Sequence, residues 1–204
     1  MVIADPAHDR ELFPTLPALP DTRRQGDEIA SLYPTAERLI GPEATPEAFL
    51  DHLDGQPVLH YAGHAVFDAA HPTLSFLPLA PPPVGDSTLF ADALAARQLH
   101  ELRLVVLSAC SSLGPSDRRT VAISGIARPF LDAGAGAVVG TLWPVTEEDA
   151  GRLLVDFHRR FLDGGDAVRA LHEAKLARFQ DTTDPHSTRW AGFQIVGQAT
   201  LERE

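Results

Sequence analysis

The stretch LVVLSACSS, residues 104–112, decides the fold. Leu104 to Leu107 is an unbroken aliphatic run that stops on small residues and on Cys110, the only cysteine of the chain. An apolar run of this length bounded by small polar residues predicts a strand buried on both faces, as in parallel sheets covered by helices. In such sheets chemistry gathers just beyond the carboxyl ends of the strands. A second run of the same kind, VLHYAGH (58–64), ends on His64. If the two strands lie parallel, an imidazole and a thiol meet over one edge of the sheet. A cysteine nucleophile needs that neighbour, because the thiolate attacks and a base must generate it. A lone cysteine is more often an inert buried hydrophobe. Here it closes a strand instead of sitting within one, which argues for chemistry.

Outward from these two runs the chain alternates strand and helix patterns. Met1–Pro6 predicts a short first strand, and Pro14, Pro17 and Pro20 mark a loop. Arg24–Tyr33 reads as a helix stopped by Pro34, and Glu37–Ile40 as a weak second strand. Thr45 followed by Pro46 is a helix start, with Thr as N-cap and Pro at the first helical position, and that helix ends near Gly55. Phe67-Asp68 follows, Leu74–Leu79 suggests a short hairpin arm, Pro81–Gly85 a loop, and Phe90–Leu99 a helix leading into the Cys110 strand. Ser111–Thr120 is polar and reads as a mobile loop beside the thiol. Ile123–Ala133 predicts a helix ended by Gly134, and Ala137–Trp143 another buried strand. Glu147–Leu162 puts Leu153, Leu154, Phe157 and Phe161 on one face behind an acidic first turn, and Asp166–Phe179 follows as a second helix. After a polar loop (180–188), Trp190–Val196 closes the sheet. The class is α/β with a parallel sheet.

Composition bounds the function. A chain of 204 residues can bury one α/β core, at most with an arm. Its net charge of −11 disfavours nucleic acid and anionic membrane as direct ligands and leaves room for a cationic peptide or protein. No apolar run approaches the roughly 20 residues that span a bilayer, and no signal peptide is legible. One cysteine excludes an internal disulfide, which makes a reducing cytoplasm the expected home. Nothing has the spacing of a zinc site. His60 and His64 share a strand face but lie about 13 Å apart at about 3.3 Å per residue, too far for one ion, so His60 reads as structural. His8, His52, His71, His100, His158, His172 and His186 fall in loops or on polar helix faces, where a solvated role is the default. Ser108 lacks a nucleophile-elbow motif, and Gly134-x-Gly136 precedes a strand where a dinucleotide fingerprint follows one.

Four blocks in order, VLHYAGHAVFD (58–68), LVVLSACSS (104–112), FLDAGAGAVVGTLWPVTEEDA (130–150) and RWAGFQIVG (189–197), resemble the CHAT domain, a caspase-like cysteine peptidase module related to separase. The resemblance implies a caspase-like three-layer α-β-α fold with a mostly parallel central sheet of about six strands. It implies a cysteine endopeptidase in which Cys110 is the nucleophile, His64 the general base and acid, and the backbone N–H groups of Ala65 and Cys110 the oxyanion hole. It places the segment Trp143, Thr146, Glu147 and Asp149 at the pocket for the residue before the cut. Carboxylates there would favour Arg or Lys, and Trp143 would favour an apolar residue; the same acids also suit a helix start. No metal or cofactor is implied. The implied partners are a protein or peptide substrate and a regulatory partner or N-terminal segment. The family usually extends further upstream, so residues 1–204 read as a single domain at the C-terminal end of a longer chain. Two residues depart from the family pattern: Ala65 stands where Gly usually follows the histidine, and Ser112-Leu113 where Thr-Gly often follows the cysteine. The group that orients His64 is open between Asp68 and a backbone carbonyl. The rival readings are an inactive scaffold or recruitment module and, more weakly, an oxidant sensor.

Overall fold

The computed structural model describes residues 1–68, 70–110, 112–114, 125–180 and 190–198. The chain runs through β1 (Val2–Ala4), α1 (Pro20–Ser31), β2 (Arg38–Ile40), α2 (Pro46–Leu53) and β3 (Val58–Ala62). A hairpin follows, β4 (Phe76–Pro78) and β5 (Thr88–Phe90), then α3 (Ala91–Ala95), β6 (Leu104–Ser108) and α4 (Ala127–Asp132). β7 (Ala137–Thr141), α5 (Glu147–Gly164), α6 (Ala167–Gln180) and β8 (Phe193–Gly197) complete it. The central sheet has six strands in the order β2-β1-β3-β6-β7-β8. All neighbours are parallel except β7 and β8, which are antiparallel.

Period-2 alternation sorts the strand residues between two cores. Ile3, Leu59, Tyr61, Val105, Leu107 and Val138 face a cluster that includes Phe49 of α2, Leu94 of α3 and Phe130 of α4. Val2, Leu104, Val106 and Val139 face the other way, against Ile29 of α1, Leu153, Leu154 and Phe157 of α5, and Leu171 of α6. Every residue of β6 and β7 is buried. At about 1.5–3 kcal/mol per large aliphatic side chain, those runs have no competing solvent-facing arrangement. The result is an α-β-α sandwich. The chain steps from β1 outward to β2 and then returns across β1 to β3, so the winding reverses between β1 and β3. Such reversal points leave a crevice at the carboxyl edge of a sheet.

Local chemistry sets the helix ends. Thr45 accepts from the Ala48 N–H at 3.2 Å to cap α2. Thr146 caps α5 in the same way, and Gly165 ends that helix at a φ of 71°, the left-handed conformation that glycine adopts at least cost. The closing strand differs from a simple βαβ continuation. Two helices, α5 and α6, follow β7 where one would return the chain to the starting edge. The chain therefore re-enters from the carboxyl edge, and β8 runs antiparallel after a 3₁₀ turn at Trp190–Gly192.

Several expectations need correction. α1 begins at Pro20, four residues before the expected start. The hairpin partner of β4 is Thr88–Phe90, with a single bridge from Val66 to Phe76, and the following helix is only Ala91–Ala95. β-Branched Thr88 and aromatic Phe90 pair across to β4, and pairing overrides the weak helical pattern there. His158 is not on a solvated face but fully buried. Its Nε2 lies 3.1 Å from His60 Nδ1, and its Nδ1 lies 2.7 Å from the Tyr33 hydroxyl. Burial drives the His158 pKa down to about 3, and burial followed by the neighbouring His158 drives His60 the same way. The expected mobile loop Ser111–Thr120 lies outside the described residues apart from Ser112–Gly114, as do the start of the helix expected from Ile123, the loop 181–189 and His186. No helix among the described residues is long and apolar enough to cross a membrane.

Candidate active site

β3 and β6 pair in register up to Ala62 and Ser108. Beyond them the Gly63 N–H still donates to the Ser108 carbonyl at 3.3 Å. His64 and Cys110 therefore leave the sheet side by side, each two residues past the last ladder pair, at the carboxyl edge next to the winding reversal. Cys110 is exposed. Thr141, the last residue of β7, brackets it. The Thr141 hydroxyl donates to the Ala109 carbonyl at 2.9 Å, and the Thr141 N–H donates to the Ser112 hydroxyl at 2.9 Å. The Leu113 N–H in turn donates to the Thr141 carbonyl at 3.1 Å. The turn carrying the thiol is thus pinned on both sides by one residue of the next strand. Gly140 makes room for this, since a Cβ there would stand 2.6 Å from the Ser112 hydroxyl.

His64 is held from two directions. The buried Tyr61 hydroxyl donates to the His64 carbonyl at 2.7 Å, which fixes the backbone. The ring is held by the proline-rich segment: His64 Nε2 lies 2.8 Å from the Pro17 carbonyl. A carbonyl only accepts, so Nε2 carries the hydrogen and the neutral ring leaves Nδ1 with its lone pair. Burial lowers the His64 pKa, the Pro17 bond works against this, and the nearby His8 lowers it further. The His8 ring stands edge-on to His64 at 5.2 Å, so His8 belongs to this site and not to a solvated loop. Asp68 is engaged elsewhere, accepting from the Ala70 and His71 N–H groups at 2.9 Å each. The orienting group is therefore the Pro17 carbonyl. Ala65 sits without strain: the only non-glycine residue with positive φ among the described residues is Asp5, and the Ala65 methyl packs against the core.

His64 and Cys110 open on one cavity of about 230 Å³. Its walls include Pro17 and Leu19 before α1, Thr22 of α1, Thr141 at the end of β7, Val145 after it, Ala150 of α5, and Phe193 of β8. Of the four expected pocket residues only Glu147 lines it. Glu147 Oε2 also accepts from the Asp21 N–H at 2.8 Å. Thr146 is exposed as the N-cap of α5, and its hydroxyl donates to Asp149 Oδ2 at 2.6 Å. Trp143 lies against Gly192, where a Cβ would come within 2.8 Å of the indole. The structure thus brings together Cys110, His64 and Glu147, and places Trp143, Thr146 and Asp149 outside the cavity walls. Pro17, Tyr61 and Thr141 carried no sequence signal, because each acts through a backbone group or hydroxyl on a partner distant in the chain or next to an unremarkable one.

Comparisons with known proteins bear on the family and the fold. The CHAT domain family model matches residues 1–198. Tetratricopeptide repeat protein 28 of Mus musculus is 27% identical over 225 residues, covering 93% of this chain and 9% of its own length. The protein of the same name from Homo sapiens is 32% identical over 117 residues, covering 57% of this chain and 5% of its own. The chain thus spans less than a tenth of the curated relatives it matches. Among solved structures, the Arg specific cysteine proteinase gingipain R superimposes with a TM-score of 0.65 at 13% identity, covering 98% of this chain and 46% of that one. Separase in the Saccharomyces cerevisiae separase–securin complex gives 0.60 at 15% identity, covering 97% and 11%. At these identities the likeness is one of fold: a caspase-like, peptidase-type sandwich. With its family model matched from the first strand to the last, the chain belongs to the CHAT domain family.

Proposed function

We propose that this domain is a cysteine endopeptidase that cleaves through a Cys110–His64 dyad and a thioester intermediate. One observation carries the reading: the only thiol of the chain is exposed in the same cavity as an imidazole whose Nε2 is already occupied by the Pro17 carbonyl. His64 Nδ1 takes the proton of Cys110, and the thiolate attacks the scissile carbonyl carbon. The tetrahedral oxyanion is held by the backbone N–H groups of Cys110 and Ala65, each such donor being worth about 2.7–4 kcal/mol. Collapse breaks the C–N bond as His64 returns its proton to the leaving amine. Water then adds to the thioester with His64 as base, releasing the acid and the thiol. The negative φ available to Ala65 supports a donor at that position, since the methyl leaves the N–H where glycine would put it.

The cavity favours a basic residue before the cut. Its walls are apolar apart from Thr22, Ser108, Thr141, the dyad and Glu147, the one acid among them. A carboxylate set in such walls rewards Arg or Lys with a charge-assisted bond. The Arg specificity of gingipain R, which shares the fold, points the same way. Securin bound to separase and the long tetratricopeptide relatives support a domain that works under the control of a protein partner.

A recruitment module is the second reading, favoured by the size of those relatives. A peptidyl electrophile with Arg next to the warhead separates the two. It should modify Cys110 of the wild type at least tenfold faster than His64→Ala, and slow on Glu147→Gln. Equal labelling with and without His64 overturns the endopeptidase.

A further inference from the structure

The segment that orients His64 has little to hold it. Pro14, Pro17 and Pro20 contribute no N–H, and Pro14, Thr15, Pro17 and Ala18 are exposed. The helix it enters starts without a cap of its own: Leu19 occupies the N-cap position and offers no side-chain acceptor. The first N–H of α1 that can donate, that of Asp21, goes to Glu147 Oε2 at 2.8 Å, 126 residues further along the chain. Closer in, the Thr22 hydroxyl and N–H both donate to the Leu19 carbonyl, at 2.7 and 3.2 Å, tying the strap to the first turn of α1. Glu147 is itself fixed as the first residue of α5, directly after its N-cap Thr146. A continuous path thus runs from α5 through the Glu147 carboxylate to the N-terminus of α1, along Leu19 to Pro17, and across one hydrogen bond to the His64 ring.

We propose that Glu147 is a positioning residue for His64. By capping α1 from the opposite wall of the cavity it holds the Pro17–Leu19 strap, so that the Pro17 carbonyl locks His64 in its Nε2–H tautomer. This gives Glu147 a second task beside facing the substrate, and its catalytic meaning rests on the dyad reading. It also couples the two. A cation drawn to Glu147 approaches the group that sets the alignment of the base, so the occupant of the pocket and the tautomer of His64 report on each other.

The test is the ¹⁵N imidazole spectrum of the histidine-labelled chain at pH 7.5, with His64 assigned by comparison with His64→Gln. In the wild type His64 shows the Nε2–H tautomer alone. Glu147→Gln keeps it, because the amide oxygen still accepts from the Asp21 N–H. Glu147→Ala should lose the single tautomer, with the Nδ1–H form appearing beside the Nε2–H form. A folded Glu147→Ala with the wild-type tautomer overturns the proposal, and so does mixing in Glu147→Gln equal to that in the alanine variant. Should Glu147→Ala fail to fold, Leu19→Gly slackens the strap with Glu147 in place and must show the same mixing; a retained single tautomer overturns the proposal equally. The tautomer is read whether or not peptides are cut. A tautomer shift in a chain that cleaves nothing leaves this link standing and removes only the endopeptidase.

Discussion

Mild acid should loosen this fold before its carboxylates discharge. His158 is fully buried between Tyr33 and His60, with its pKa near 3 against an ordinary value of 6.5. The folded-state value is the lower one, so between pH 3 and 6.5 the unfolded chain binds the extra proton. Stability from this group is complete above pH 6.5 and is lost as the pH falls towards 3. At pH 5 the loss is about 2 kcal/mol, and His60 shifts in the same direction. For a domain of this size each kcal/mol moves the melting temperature by about 2–4 °C, so His158 alone accounts for about 4–8 °C between pH 7.5 and pH 5. The assay is urea unfolding followed by circular dichroism at both pH values, for the wild type and for the double variant His158→Leu, Tyr33→Phe. The double variant removes the imidazole together with the hydroxyl bonded to it. Whatever its stability at pH 7.5, its loss on going to pH 5 should be smaller than that of the wild type by about 2 kcal/mol. An equal acid loss in both proteins would falsify the assignment of the sensitivity to this buried chain.

Three further outcomes follow from the site. Gly63→Ala would put a Cβ 2.7 Å from the Tyr61 hydroxyl and 3.1 Å from Pro6; it should cost about 1–3 kcal/mol in denaturant titration and slow Cys110 labelling, and wild-type values for both would show that the Tyr61–His64 bond is dispensable. Ala65→Gly should raise turnover or leave it unchanged, whereas a clear loss with folding intact removes Ala65 from the oxyanion assignment. Because His64 titrates below the ordinary histidine range, the His64-dependent labelling rate should rise with pH through a midpoint below 6.5; a midpoint above 7 rejects a neutral base held by Pro17.

Much of this was legible because the informative residues speak locally. β6 and β7 are buried at every position and apolar up to their last residue, and only a strand covered on both faces uses such a run. α5 announces itself through Thr146, its acidic first turn and its apolar stripe. Cys110 and His64 are legible as strand-end residues. The missed features share one cause, a partner far away in the chain. α1 starts before its apolar stripe does, because its cap is Glu147 and not a residue beside Leu19. His158 looks solvated on a helix rich in arginine, since the residues that bury it are Tyr33 and His60. Pro17 reads as loop filler, and only the folded chain shows its carbonyl against His64. Phe90 reads as the start of a helix because Phe90 and Leu94 fit a helical period, while the pairing with β4 that makes it the end of β5 is absent from any local window.

The solitary thiol has a chemical consequence of its own. With one cysteine in the sequence and that one exposed, the titre of free sulfhydryl in a folded sample equals the number of chains with an intact Cys110. It also leaves the chain without a resolving partner. A sulfenic acid formed at Cys110 has no second thiol in the chain to condense with, so an external thiol must intercept it before further oxidation makes the loss permanent. Oxidative stress would therefore act on this domain as a slow attrition of competent molecules, at a rate set by the reductant around it.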